Sequence, residues 1–115
     1  MKVEIEIPDQ DIIDVLTTAL EGGSNYWYYL PDLSMLVKSD EYLEDRIFNA
    51  CIAGKSIPVY DVENDDEILG YINLENIKNA IKGFIEVGHS WDPAMDANDA
   101  DILFQYIVMG EVVYG

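Results

Sequence analysis

Ile57-Pro58-Val59-Tyr60-Asp61-Val62, then Glu63-Asn64-Asp65-Asp66-Glu67, then Ile68-Leu69-Gly70-Tyr71-Ile72: two runs rich in β-branched and aromatic residues flank five polar ones. Such runs favour the pleated strand, and a short polar link returns the chain as a β-hairpin. A connection this short forces antiparallel pairing, since a parallel crossover needs a dozen residues or more.

Downstream, Asn73 stands where a helix N-cap belongs, and Leu74, Ile77, Ala80, Ile81, Phe84 and Ile85 repeat at helical spacing up to Gly88. His89 to Asp96 reads as a loop. Asp96 then caps a last helix, Ala97 to Met109, with Ile102, Leu103, Tyr106 and Ile107 expected inward and Gly110 as its stop. Glu111-Val112-Val113-Tyr114 is expected to be a closing strand.

Upstream, a helix capped by Ser39 or Asp40 is expected to run to about Ala53, with Leu43, Ile47, Ala50 and Cys51 inward and Gly54 closing it. Pro31 to Lys38 reads as irregular. Four consecutive aromatics, Tyr26-Trp27-Tyr28-Tyr29, suit a strand or a buried turn. Before them, Pro8 and Asp9 open a helix whose stripe is Ile12, Ile13, Leu16 and Leu20. Asp9, Asp11 and Asp14 suit its positive end, and Gly22-Gly23 are expected to end it in the left-handed conformation. Val3, Ile5 and Ile7 alternate with charged residues as a half-buried first strand. The expectation is one α+β domain over residues 1–115. A small, mostly antiparallel sheet of N-terminal strand, central hairpin and C-terminal strand packs with about four helices.

Half of the 115 residues are apolar, enough for a core, yet 23 Asp and Glu stand against 6 Lys and Arg, a formal charge of −17. Such a chain repels phosphate backbones and anionic membranes, so neither nucleic acid nor membrane is an expected partner. The start lacks the apolar run of a secretory leader, and no stretch has the length of a membrane span. Cys51 is the single cysteine, in an apolar setting, so no internal disulfide forms. The cytoplasm is the expected location.

Motifs for catalysis and cofactors are missing. No Gly-rich phosphate loop precedes a helix, and the lone His89 has no nucleophile at a familiar spacing. No catalytic residue and no cofactor is expected. Asp61, Glu63 and Asp65 start like a calcium loop, but Asp66 stands where glycine belongs and Ile72 where glutamate belongs, so no metal site is assigned. Asp92, Asp96, Asp99 and Asp101 form a second acidic group, explained largely by helix capping.

Asp99 shares a helical face with Ile102, Leu103 and Tyr106, while Asp101 and Gln105 share a neighbouring, more polar strip. A carboxylate leaning into a core needs donors, and the aromatic segment offers them. Asn25, Tyr26, Trp27, Asp99, Asp101, Gln105, Glu111 and Tyr114 are therefore the candidate binding residues. They read either as a buried structural network or as the wall of a polar-aromatic pocket.

Ala19-Leu20-Glu21-Gly22-Gly23-Ser24-Asn25-Tyr26-Trp27 resembles a block near the start of small acidic proteins of phages, prophages and related bacterial regions. Asp96-Ala97-Asn98-Asp99-Ala100-Asp101-Ile102, with Gln105 and Gly110-Glu111-Val112-Val113-Tyr114-Gly115, resembles the closing block of the same group. The resemblance implies a genomic setting and no activity. Three functions stay open: a non-enzymatic accessory protein docking on a basic protein partner, a binder or enzyme of a nucleotide or polar metabolite, and a structural homo-oligomer.

Overall fold

The computed structural model describes residues 7–64 and 66–114. The expected first strand lies at residues 3–7 and so falls almost wholly outside them. The hairpin forms where its two apolar runs place it. Strands β2 (Ile57–Asp61) and β3 (Ile68–Ile72) pair antiparallel, Ile57 opposite Ile72 and Val59 opposite Gly70. The register shifts between Val59 and Tyr60, so that Tyr60 faces Ile68 and Leu69 is the extra residue of a bulge. The aromatic run supplies the third strand, β1 (Tyr28–Tyr29), antiparallel to β2 with Tyr28 opposite Asp61 and Tyr29 opposite Tyr60. The sheet order is β1-β2-β3. Pro58 lies in the part of β2 that β1 does not reach, where a residue without an N–H is tolerated.

Among the described residues four α-helices accompany the sheet: α1 (Asp9–Thr18), α2 (Leu43–Ile52), α3 (Leu74–Glu86) and α4 (Ala97–Met109). The class is α+β as expected. The caps of α3 and α4 are those the sequence announces. Asn73 accepts the Asn76 N–H at 2.8 Å, Asp96 accepts the Asp99 N–H at 2.8 Å, and Gly110 adopts φ 74°. Helix α2 starts later than expected, at Leu43, and neither Ser39 nor Asp40 caps it. The Ser39 hydroxyl instead accepts the Glu41 N–H at 3.2 Å in a local turn.

Two expectations are corrected. Gly22-Gly23 do not form a left-handed cap. Helix α1 continues into a π turn, Ala19–Gly23, in which the Ser24 N–H reaches back five residues to the Ala19 carbonyl at 2.7 Å. Gly23 is needed for a different reason: a β-carbon there would lie 2.3 Å from the Ala97 carbonyl oxygen, so only glycine lets the π turn meet the start of α4. Second, Glu111–Tyr114 is not a strand. It lies across α4 by another device, described below.

The core sits between the inner sheet face, Ile57, Val59 and Ile72, and the helices, with Leu16, Ile47, Ile77, Phe84, Leu103 and Phe104 among its members. Helix α4 packs against α1, α3, β3 and the π turn. At Gly70 the approach is closest, since a β-carbon there would lie 1.8 Å from the Val108 carbonyl oxygen. Among the described residues no helix is long and apolar enough to cross a membrane.

Candidate functional site

Helix α4 is covered on several sides, so its buried set is broad: Ala100, Asp101, Leu103, Phe104, Gln105, Ile107 and Val108. Two of these are polar. Asp101 and Gln105, one turn apart, face the aromatic segment. This reverses the expected assignment. Asp101 and Gln105 occupy the core side, while Asp99 is half-buried in the first turn, where its N–H takes the Asp96 cap. A helix with neighbours on most sides has no single apolar stripe from which the inward polar residue can be read.

The Asp101 carboxylate is the centre of the cluster. Its Oδ1 accepts the Ser24 hydroxyl at 2.7 Å and the Trp27 indole Nε1–H at 2.7 Å. Its Oδ2 accepts the Tyr26 hydroxyl at 2.6 Å and the Gln105 Nε2–H at 3.2 Å. A carboxylate has about four acceptor sites, and all are occupied. No cation takes part in these four bonds; neutral dipoles carry the buried charge, which hydrogen bonds to the ionised form can do. Local structure delivers the donors: the π turn puts Ser24 against α4, and the Ser24–Trp27 turn, closed by the Trp27 N–H on the Ser24 carbonyl at 3.1 Å, aims Tyr26 and Trp27 at one carboxylate.

Gln105 extends the network to the end of the chain. Its Oε1 accepts the N–H groups of Val113 at 2.8 Å and Tyr114 at 2.9 Å, and its Nε2 donates to the Tyr114 carbonyl at 3.0 Å. A side-chain amide carries the same donor and acceptor pair as a peptide, so Gln105 holds this segment as a neighbouring strand would. That is why an expected strand docks without being one. The Tyr114 ring, so placed, stacks on Trp27 at 5.5 Å and 16° and meets Tyr26 edge-on at 6.5 Å. Trp27 also packs on Phe104 at 5.4 Å, and Tyr28 meets Phe104 edge-on at 5.6 Å. The Tyr28 hydroxyl donates to the Leu20 carbonyl at 2.6 Å, satisfying an acceptor within the π turn.

Of the expected residues, Tyr26, Trp27, Asp101, Gln105 and Tyr114 come together. Asn25 and Glu111 are exposed and take no part in these bonds. Ser24 is a member that sequence reasoning missed. A serine after two glycines reads as a turn residue, and nothing local marks it as fully buried.

Burial and the Asp101 carboxylate push the Tyr26 hydroxyl up to about 12, although half of the side chain faces solvent. At neutral pH it remains a donor. Burial, with Asp61, Glu67 and Glu63 nearby, raises Tyr114; burial, with Glu44 and Glu21, raises Tyr28. The cluster is thus equipped to hold two chain segments together, with its lone pairs and protons committed internally.

Elsewhere, Cys51 is buried and its thiol is pushed up to about 11 by burial, so it packs as an apolar residue. His89 lies flat on Phe84 at 4.5 Å. Asp61 and Asp92 close local turns, accepting the Glu63 N–H at 2.8 Å and the Ala94 N–H at 2.9 Å. Among the described residues no three His, Cys, Asp or Glu side chains gather as metal ligands. Comparison with protein-family models, with curated proteins and with solved structures finds no match.

Proposed function

We propose that the protein is a non-enzymatic binding protein that docks on a basic surface of a protein partner, as an accessory factor of the phage or prophage type working in the cytoplasm. The observation that carries this reading is the placement of the charge. Among the described acids only Glu44 and Asp101 are buried, so the other described acids are wholly or partly open to solvent in a chain of formal charge −17. The few cations compensate little of it. Arg46 donates to the Val37 carbonyl at 3.0 Å and Lys55 to the Met35 carbonyl at 2.9 Å, so both are engaged with backbone. An outward field of one sign speeds encounter with a surface of the other and rejects like-charged ones.

The reading as a pocket for a small polar ligand has less in its favour, because the polar side-chain atoms of Tyr26, Trp27, Asp101 and Gln105, four of the residues expected to line it, already bond within the cluster. The test is cross-linking at low salt to isolate a partner, then titration of the purified pair in rising salt. The expected result is a partner with a basic face and an affinity that falls steeply as salt screens it. An affinity indifferent to salt would count against this reading. So would a thermal shift given by a nucleotide or metabolite panel, since a native-state ligand must stabilise the fold.

A further inference from the structure

The sheet has two faces, and the outer one is unusual for this chain. Directly opposed residues of an antiparallel pair project to the same side, and alternate residues of a strand to opposite sides. Ile57, Val59 and Ile72 point inward and are fully buried, with Gly70 against the Val108 backbone. The pairs Tyr29 with Tyr60, Tyr60 with Ile68 and Pro58 with Tyr71 therefore lie on the other side, where Pro58 is itself buried. Of these, Tyr29 is 45% exposed, Ile68 44% and Tyr71 43%, while Tyr60 is half-buried beneath them.

A solvated sheet face normally carries polar and charged residues. Here the exposed residues are two tyrosines and an isoleucine, set around the half-buried Tyr60 and the buried Pro58, and none of the five is charged, in a chain where 25% of residues are charged. Single exposed apolar residues need no explanation, whereas a contiguous patch marks an interaction surface. Tyrosine is a residue of choice there, because its ring buries area at small entropic cost and its hydroxyl stays wet.

Charge decides the occupant. The patch runs up to the acidic hairpin end formed by Asp61, Glu63, Asp66 and Glu67. A second copy would bring −17 against −17, and like-charge juxtaposition opposes association. An arginine-bearing surface meets both features: its cation suits the acidic rim, and its planar guanidinium lies flat on tyrosine rings.

We infer that the outer face formed by Tyr29, Tyr60, Ile68 and Tyr71 is the docking surface, and that its occupant is an arginine-rich protein segment. The inference rests on the binding reading above and names its surface. The test uses the full chain labelled with nitrogen-15 and two short synthetic probes, one alternating arginine and valine, the other alternating lysine and serine. At low salt the arginine probe should shift the amides of Tyr29, Tyr60, Ile68 and Tyr71 most. It should bind the Tyr29→Ser/Tyr71→Ser variant roughly tenfold more weakly, the scale of an interface anchor. Tyr71→Phe, which keeps the ring, should bind as the parent does.

Shifts centred on the N-termini of α1 and α4, or equal binding of both probes by parent and double variant, would overturn the surface and leave the binding reading standing. Failure of both probes to bind at low salt would sink both. A dimer in sedimentation that the double variant abolishes would assign the face to a second copy and overturn the inference. The wild-type shift map decides the question even where the double variant does not fold.

Discussion

Two groups of tyrosines, which meet in the chain at Tyr28 and Tyr29, are used differently. Tyr26, Tyr28 and Tyr114 gather around Trp27 on the α4 side, where hydroxyls find the Asp101 carboxylate and the Leu20 carbonyl and rings find Phe104 and each other. Tyr29 and Tyr71, both exposed, and the half-buried Tyr60 lie on the opposite side of the sheet. Residue type is the same; what lies across from each differs. Between Tyr28 and Tyr29 the change from packed to exposed takes one residue, because strand side chains alternate. Tyrosine therefore acts as mortar where acceptors are at hand, and as a wetted apolar surface where none is.

The comparison can be broken hardest at its packed side. Gly70→Ala forces a β-carbon into the Val108 carbonyl, so strand and helix must separate. The loss should be about 3 kcal/mol or more, in the range of severe core overpacking, read as a lower urea midpoint or a failure to fold. Next is Asp101→Asn. One carboxamide oxygen replaces two acceptors, and its NH₂ is turned toward donors, of which Trp27 and the fully committed Gln105 cannot reverse. A loss of about 1–3 kcal/mol is expected in urea unfolding, the cost of leaving buried donors unsatisfied.

Tyr26 gives a smaller effect with a defined pH dependence. Its folded value of about 12 lies above the ordinary value of 10.0, so the folded state favours the protonated phenol. That contribution is complete below pH 10 and is lost as pH rises from about 10 to about 12. Tyrosinate absorbance of the folded parent should lag that of the urea-unfolded chain, because Tyr26, Tyr28 and Tyr114 are all raised, and Tyr26→Phe should remove part of that lag and flatten the stability decline across that window. Smallest is the open side. Tyr29→Ser and Tyr71→Ser should each change stability by only about 0.5 kcal/mol, as surface substitutions do, measured by urea denaturation. A large loss there would show that the outer face is structural and erase the contrast.

Local signals were legible in the sequence. The hairpin followed from two apolar runs and a polar link, α3 and α4 from Asn73 and Asp96 at their starts, and the helix ends from Gly54, Gly88 and Gly110, which have φ of 86°, 99° and 74°. Each depends on neighbours a few residues away. Five of the eight expected site residues converge for a similar reason: an indole, a phenol, a carboxylate and an amide near one another need partners. What escaped reading depended on contacts distant in the chain. Ser24 and Asp101 are separated by 77 positions. The π turn answers to the packing of Gly23 on Ala97, and the closing segment answers to one amide on α4.

The sequence by itself determined an α+β chain with a strongly acidic surface, because element type follows local pattern and charge follows composition. Only the tertiary structure decided that Asp101 points inward while Asp99 stays half-buried in the first turn, that Gln105 substitutes for a strand, and that Tyr28 is packed while Tyr29 is exposed. Those outcomes depend on which backbone groups and rings lie opposite each side chain. Helical and strand periods leave that open whenever an element has neighbours on several sides.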